Sequence, residues 1–86
     1  MSNPIPPSLN ADVYFDGKTF HVQTEDWGVE KSFVVSRIFL DGAVIRSFKV
    51  PYAAISQMQD PTIAESMKTQ HAKIIELLTS GQLFFL

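Results

Sequence analysis

Two histidines, two arginines and a lone tryptophan are the side chains in this sequence with the most chemistry to offer. Asp12 and His21 flank an Asp16-Gly17 pair, and a two-residue turn there sets them opposite each other. A carboxylate beside an imidazole can orient a general base. No serine in a nucleophile-elbow sequence accompanies the pair, so its ordinary role is a surface ion pair. His71 falls within a helical apolar stripe, where a histidine is normally a half-buried, hydrogen-bonded residue. With two histidines and no cysteine, a structural zinc site lacks ligands. The four glycines are isolated, so no phosphate-cradling loop is encoded. Arg37 and Arg46 are the remaining candidates: two planar guanidinium groups can grip a phosphate as a pair of forks. Trp27, next to Gly28, can stack on a ligand or cap the edge of a core. Nothing in the sequence calls for a cofactor.

These residues sit on elements that the pattern predicts. Residues 1–10 hold three of the five prolines and read as an extended arm, with residues 11–86 forming one β-β-β-β-α domain. Asp16-Gly17 and Asp41-Gly42 each separate two apolar runs, the signature of hairpins with type I′ turns. In the first hairpin Ala11, Val13, Phe15, Phe20 and Val22 share a dry face, and Asp12, Tyr14, Thr19, His21, Gln23 and Glu25 a wet one. Residues 25–31 read as a connection. Ser32 to Leu40 and Ala43 to Val50 form the second hairpin, stopped by Pro51. An unbroken register there sets Arg37 against Arg46 and Val35 against Phe48. Residues 52–58 suit a short helical turn. Asp60-Pro61 reads as the cap and first position of a helix of about twenty residues, ending at Ser80-Gly81. The apolar tail 82–86 adds a short edge strand or tucks under the helix.

Composition narrows the function classes. The chain is 86 residues long with a net charge of −2, and its few Lys and Arg are not clustered, which argues against a nucleic acid partner. No apolar run is long enough to span a membrane. The N-terminal stretch lacks the pattern of a signal peptide, so a cytoplasmic location is the expectation. Only 19% of residues are charged, below the usual quarter, which leaves little polar surface to keep the domain monomeric.

Covering the sheet is the central difficulty. Four strands at ~4.8 Å spacing span nearly 20 Å, whereas a helix is ~10 Å wide and has one apolar stripe. The helix suits the dry face of the first hairpin and the Val34, Ser36, Ile38 face of the second. The opposite face, with Phe33, Arg37, Phe39, Arg46 and Phe48, and Trp27 nearby, has the aromatic and arginine content of a binding surface. The tail 83–86, the N-terminal arm or Trp27 folding over it, with Glu25, Asp26 or Glu30 pairing the arginines, is the intramolecular alternative.

The run from Asp16 to Asp26, with Gly17, Lys18 and Phe20 followed by His21-Val22-Gln23-Thr24-Glu25-Asp26, resembles the signature of a short uncharacterised bacterial module. That module is similar also in its second Gly-containing hairpin, here Asp41-Gly42, and in a His-bearing helix, here with Gln70-His71. The resemblance covers roughly residues 12–80, with only the first block specific, and brings no established activity. It implies a regulatory or adaptor part, in motility or polarity systems that use small Ras-like GTPases. The expectation from the sequence is therefore an α+β domain that is not an enzyme and binds a protein partner. The alternatives are a homodimeric structural protein that associates through the aromatic–arginine face and a sensor of a small anionic ligand or nucleotide, such as a cyclic dinucleotide, through Arg37 and Arg46.

Overall fold

In the computed structural model, which describes residues 8–55 and 62–83, the chain is an antiparallel sheet of four strands with one long helix on one side. The order is β1 (Ser8–Phe15), β2 (Lys18–Asp26), α1 (Gly28–Lys31), β3 (Phe33–Leu40), β4 (Ala43–Pro51), α2 (Tyr52–Ile55) and α3 (Ile63–Thr79). The strands lie in sequence order, β1-β2-β3-β4. β1 begins at Ser8, so residues 8–10, expected within the arm, already pair with β2. Residues 1–7, the rest of the expected arm, lie outside the described residues.

Both Asp-Gly pairs turn as their composition requires. Asp16 and Gly17 have φ of 53° and 75°, and Asp41 and Gly42 have 52° and 80°. Two successive positive φ values define the type I′ turn, whose twist matches that of the strands it joins. The first turn fixes Phe15 against Lys18, Val13 against Phe20, Asp12 against His21 and Ala11 against Val22, the expected register.

The second hairpin departs from expectation. Leu40 pairs with Ala43 and Phe39 with Val44, but Ile38 then pairs with Arg46. Ile45 is left over as a β-bulge, and every later residue of β4 changes face. Ser47 now opposes Arg37, Phe48 opposes Ser36 and Lys49 opposes Val35. The expected pairs of Arg37 with Arg46 and Val35 with Phe48 do not form. Packing explains the shift. An unbroken register would turn Phe48 and Val50 away from the helix and oppose two guanidinium groups. That opposition costs up to ~1 kcal/mol. Half-burying the two apolar side chains gains about 1 kcal/mol each, enough to offset one interrupted ladder step.

α3 packs its stripe of Met67, Ile74 and Leu78 on the sheet. Val13, Phe20, Val22, Ile38, Ile74 and Leu78 make the main core, with Ile45, Phe48 and Leu83 against it. Val34, Ile55 and Met67 make a second cluster, with Val50 and Tyr52 against it. The N-cap of α3 is Thr62, whose Oγ1 accepts from the Glu65 N–H at 3.2 Å, in place of the expected Asp60. Thr62 and Glu65 have the spacing of a capping box, and α3 has 17 residues. At its end Gln82 N–H donates to Leu77 C=O (3.0 Å) and Gly81 N–H to Leu78 C=O (3.2 Å). This double bond pattern needs a left-handed residue, supplied by Gly81 at φ 76°. Residues 56–58 of the expected helical turn, and residues 84–86 of the expected edge strand, lie outside the described residues.

Candidate interaction surface

The strand alternation of β2 distributes the His21 to Asp26 run between the two faces. Val22, Thr24 and Asp26 point to the helix side, and His21, Gln23 and Glu25 to the outer side.

On the helix side the polar members are fully engaged. Thr24 and Ser36 are buried, with hydroxyl oxygens 2.6 Å apart. Thr24 Oγ1 is 2.8 Å from His71 Nδ1, and Gln70 Nε2 donates to Ser36 Oγ at 2.8 Å. Burial holds the His71 imidazolium below its usual pKa, with a smaller contribution from His21. A hydroxyl beside an imidazole is the makings of a nucleophile, but both hydroxyl residues are sealed from solvent. The network therefore ties α3 to the sheet. Asp26 Oδ1 accepts from the Gly28 N–H (2.9 Å) and from the Tyr52 hydroxyl, fixing the connection after β2. Burial, the bond to Asp26 and its charge push the Tyr52 phenol up to about 12.

The outer face carries the candidate site. At the turn end, cross-strand pairing aligns Asp12, His21, Phe39 and Val44 in one row, with Tyr14 and Thr19 in the next. His21 Nδ1 is 3.0 Å from Asp12 Oδ1 and Nε2 is 3.1 Å from Asn10 Oδ1. Both ring nitrogens of His21 thus lie against side-chain oxygens of β1. Its ring centroid lies 5.9 Å from that of Phe39, tilted by 54°. A shallow depression of about 400 Å³ lies here, lined by Asp12, Thr19, His21, Gln23, Phe39, Asp41 and Gly42. Tyr14 and Val44 beside it are 73% and 49% exposed.

The other end of the outer face is closed by Trp27. Its ring centre lies 5.4 Å from Arg37 Cζ and 5.2 Å from Lys49 Nζ. Lys49 is the cross-strand partner of Val35, and Arg37 follows Val35 on the same face. Val35, between them in the pairing, is only 1% exposed. Arg37 Nη1 also reaches Glu25 Oε1 at 3.8 Å. The intramolecular alternative for Trp27 and Arg37 is thus realised at this end.

Of the six residues expected to form one aromatic–arginine surface, Trp27, Phe33, Arg37 and Phe39 share the outer side. Arg46 and Phe48 do not. The bulge places them on the helix side, Arg46 Cζ 5.3 Å from the Phe48 ring centre and Phe48 against the core. The two-arginine grip on an anion is consequently not assembled. Tyr14, Val44 and Lys49 complete the outer face in their stead. Tyr14 was legible as outward-facing, whereas Lys49 depended on the bulge. Among the described residues, no three His, Asp or Glu side chains converge as metal ligands, and no helix is long and apolar enough to cross a membrane.

Comparison with known proteins gives no match, whether to family models, curated proteins or solved structures. Function is accordingly read from this chain's own geometry.

Proposed function

We propose that this chain is a non-catalytic protein-interaction module that binds its partner with the turn end of its outer sheet face. One observation carries the reading: α3 covers a single side of the sheet, and on the other side Tyr14 and Val44 stand open at 73% and 49% around the half-buried Phe39 and His21. An aromatic and aliphatic cluster flanked by Asp12 and Asp41 has the anatomy of a binding patch: an apolar centre and a polar rim. A non-catalytic role fits the two histidines, one bonded at both ring nitrogens and the other set against buried hydroxyls. The resemblance of the Asp16 to Asp26 run to a short bacterial module supports a regulatory or adaptor role, in a motility or polarity system that uses a small Ras-like GTPase, and a cytoplasmic location remains the expectation from the N-terminal sequence.

The test is a tagged chain returned to its native cell, alongside a Tyr14→Asp, Val44→Asp double variant. Both side chains are exposed, so the variant keeps the thermal melt of the parent. The expected result is a stoichiometric protein that co-purifies with the parent and with Arg46→Glu, and is lost from the double variant. A partner retained by the double variant would refute the assignment of the face.

A further inference from the structure

The two open edges of the sheet are built differently. β4 is bulged at Ile45 and carries Lys49 and Pro51, three features that keep an edge from pairing with another chain. β1 has none of them: Ser8–Phe15 contains no Lys, Arg or Pro and pairs with β2 residue for residue without a bulge. Phe15 and Lys18 close the two-residue turn as a doubly bonded pair. Counting back from that pair, Phe15, Val13, Ala11 and Leu9 turn their N–H and C=O groups to β2. Tyr14, Asp12, Asn10 and Ser8 turn theirs outward. β1 is the last strand of the sheet, so these groups have no ladder partner among the described residues.

The core also stops short at this edge. α3 lies over β1 and β2. Val13 is 8% exposed, yet Leu9, Ala11 and Phe15, on the same face and against the same core clusters, are only half-buried. Open backbone and an unfinished apolar layer therefore coincide on β1.

We propose that β1 pairs antiparallel with β1 of a second copy, giving one continuous sheet in the order β4-β3-β2-β1-β1-β2-β3-β4. Pairing must join residues that point to the same face. Two registers do so over nearly the whole strand. A two-fold axis through Asp12 sets two carboxylates against each other, which is unfavourable. An axis through Ala11 sets Asn10 against Asp12 of the second copy and Ser8 against Tyr14. On the helix side it sets Leu9 against Val13. Asn10 Nδ2, whose partner within the chain is Ser8 Oγ at 3.3 Å, then faces a carboxylate. The charge pattern selects the Ala11 axis. This assembly uses the edge of β1, which adjoins the proposed partner site at Asp12 and Tyr14, and it is tested by self-association alone, without the partner.

The chain has no cysteine, which makes cross-linking diagnostic. At the Ala11 axis the two Ala11 Cα atoms form a non-hydrogen-bonded pair about 4.5 Å apart, within disulfide range. In a mild oxidant at micromolar concentration, Ala11→Cys should convert almost completely to a linked dimer, while Ser47→Cys on β4 should not. Sedimentation of the unmodified protein should show a dimer that dissociates on dilution. Asn10→Asp, which opposes two carboxylates across the new pair, should raise the dissociation constant at least severalfold. Asp12→Pro removes an outward N–H and leaves the ladder to β2 intact, so it should be monomeric with an unchanged far-ultraviolet spectrum. A monomer at all concentrations with equal linking of the two cysteine variants would overturn the proposal. So would a dimer that links through Ser47→Cys instead. Should Asp12→Pro fail to fold, Asn10→Asp and the cross-link still decide.

Discussion

Thr24 and Ser36 face each other on adjacent strands with no access to water, and His71 and Gln70 reach down from α3 to meet them. Replacing one member leaves the others buried with a bond unmade, so Thr24→Val should cost about 1–3 kcal/mol. The network also makes stability depend on acidity. Burial depresses the folded-state pKa of His71, so the folded chain holds its imidazole neutral where the unfolded chain takes up a proton. This contribution is complete above pH 6.5, the ordinary histidine value. It is lost as the pH falls from there through the depressed value. The urea midpoint should therefore drop between pH 7.5 and pH 5, and the drop should be smaller in His71→Gln. Equal drops in both proteins would show that His71 is not the group responsible.

The element that decides which residues meet is the bulge at Ile45. Residues 47–50 alternate polar and apolar, Ser47 and Lys49 against Phe48 and Val50, and that phase conflicts with the register that Asp41-Gly42 imposes on Ala43 and Val44. One unpaired residue between them reconciles the two. Deleting Ile45 should therefore leave every pairing below it in place: Arg46 against Ile38, Phe48 against Ser36. The loss is the packing of one half-buried side chain, about 1–2 kcal/mol. Cross-strand NOE contacts between Ile38 and Arg46 test this, and their replacement by contacts between Arg37 and Arg46 would contradict it. The same element shows what the sequence discloses. Asp-Gly dipeptides dictate local dihedral angles, so both turns and the register of the first hairpin from Ala11 to Val22 follow from sequence, whereas its extension to Ser8 and Asp26 does not. A stripe of Met67, Ile74 and Leu78 dictates the face of α3. The bulge follows from neither local rule, being settled by competition between turn and core. Reading the alternation of 44–50 for a change of phase would have exposed it. The expected site lost Arg46 and Phe48 for that reason, while Trp27, Arg37 and Phe39 needed only strand parity and the loop after β2.

At the scale of the whole molecule, the outer face and the β1 edge adjoin along β1, and their geometry couples them. Antiparallel pairing of two β1 strands turns one chain onto the other about an axis normal to the sheet, because same-face residues must remain neighbours. Both outer faces, with Tyr14, Phe39 and Val44, then point the same way from one rigid sheet. A partner displayed densely on a surface would meet two sites at once, and the second contact forms at the high effective concentration of a tethered site. Release from such a surface should be severalfold slower for the unmodified chain than for Asn10→Asp. The two should release at equal rates from a sparsely loaded surface, where only one site can engage. Surface plasmon resonance at two loading densities distinguishes the cases. A rate difference that persisted at low density would mean that position 10 itself touches the partner and would overturn the two-site reading.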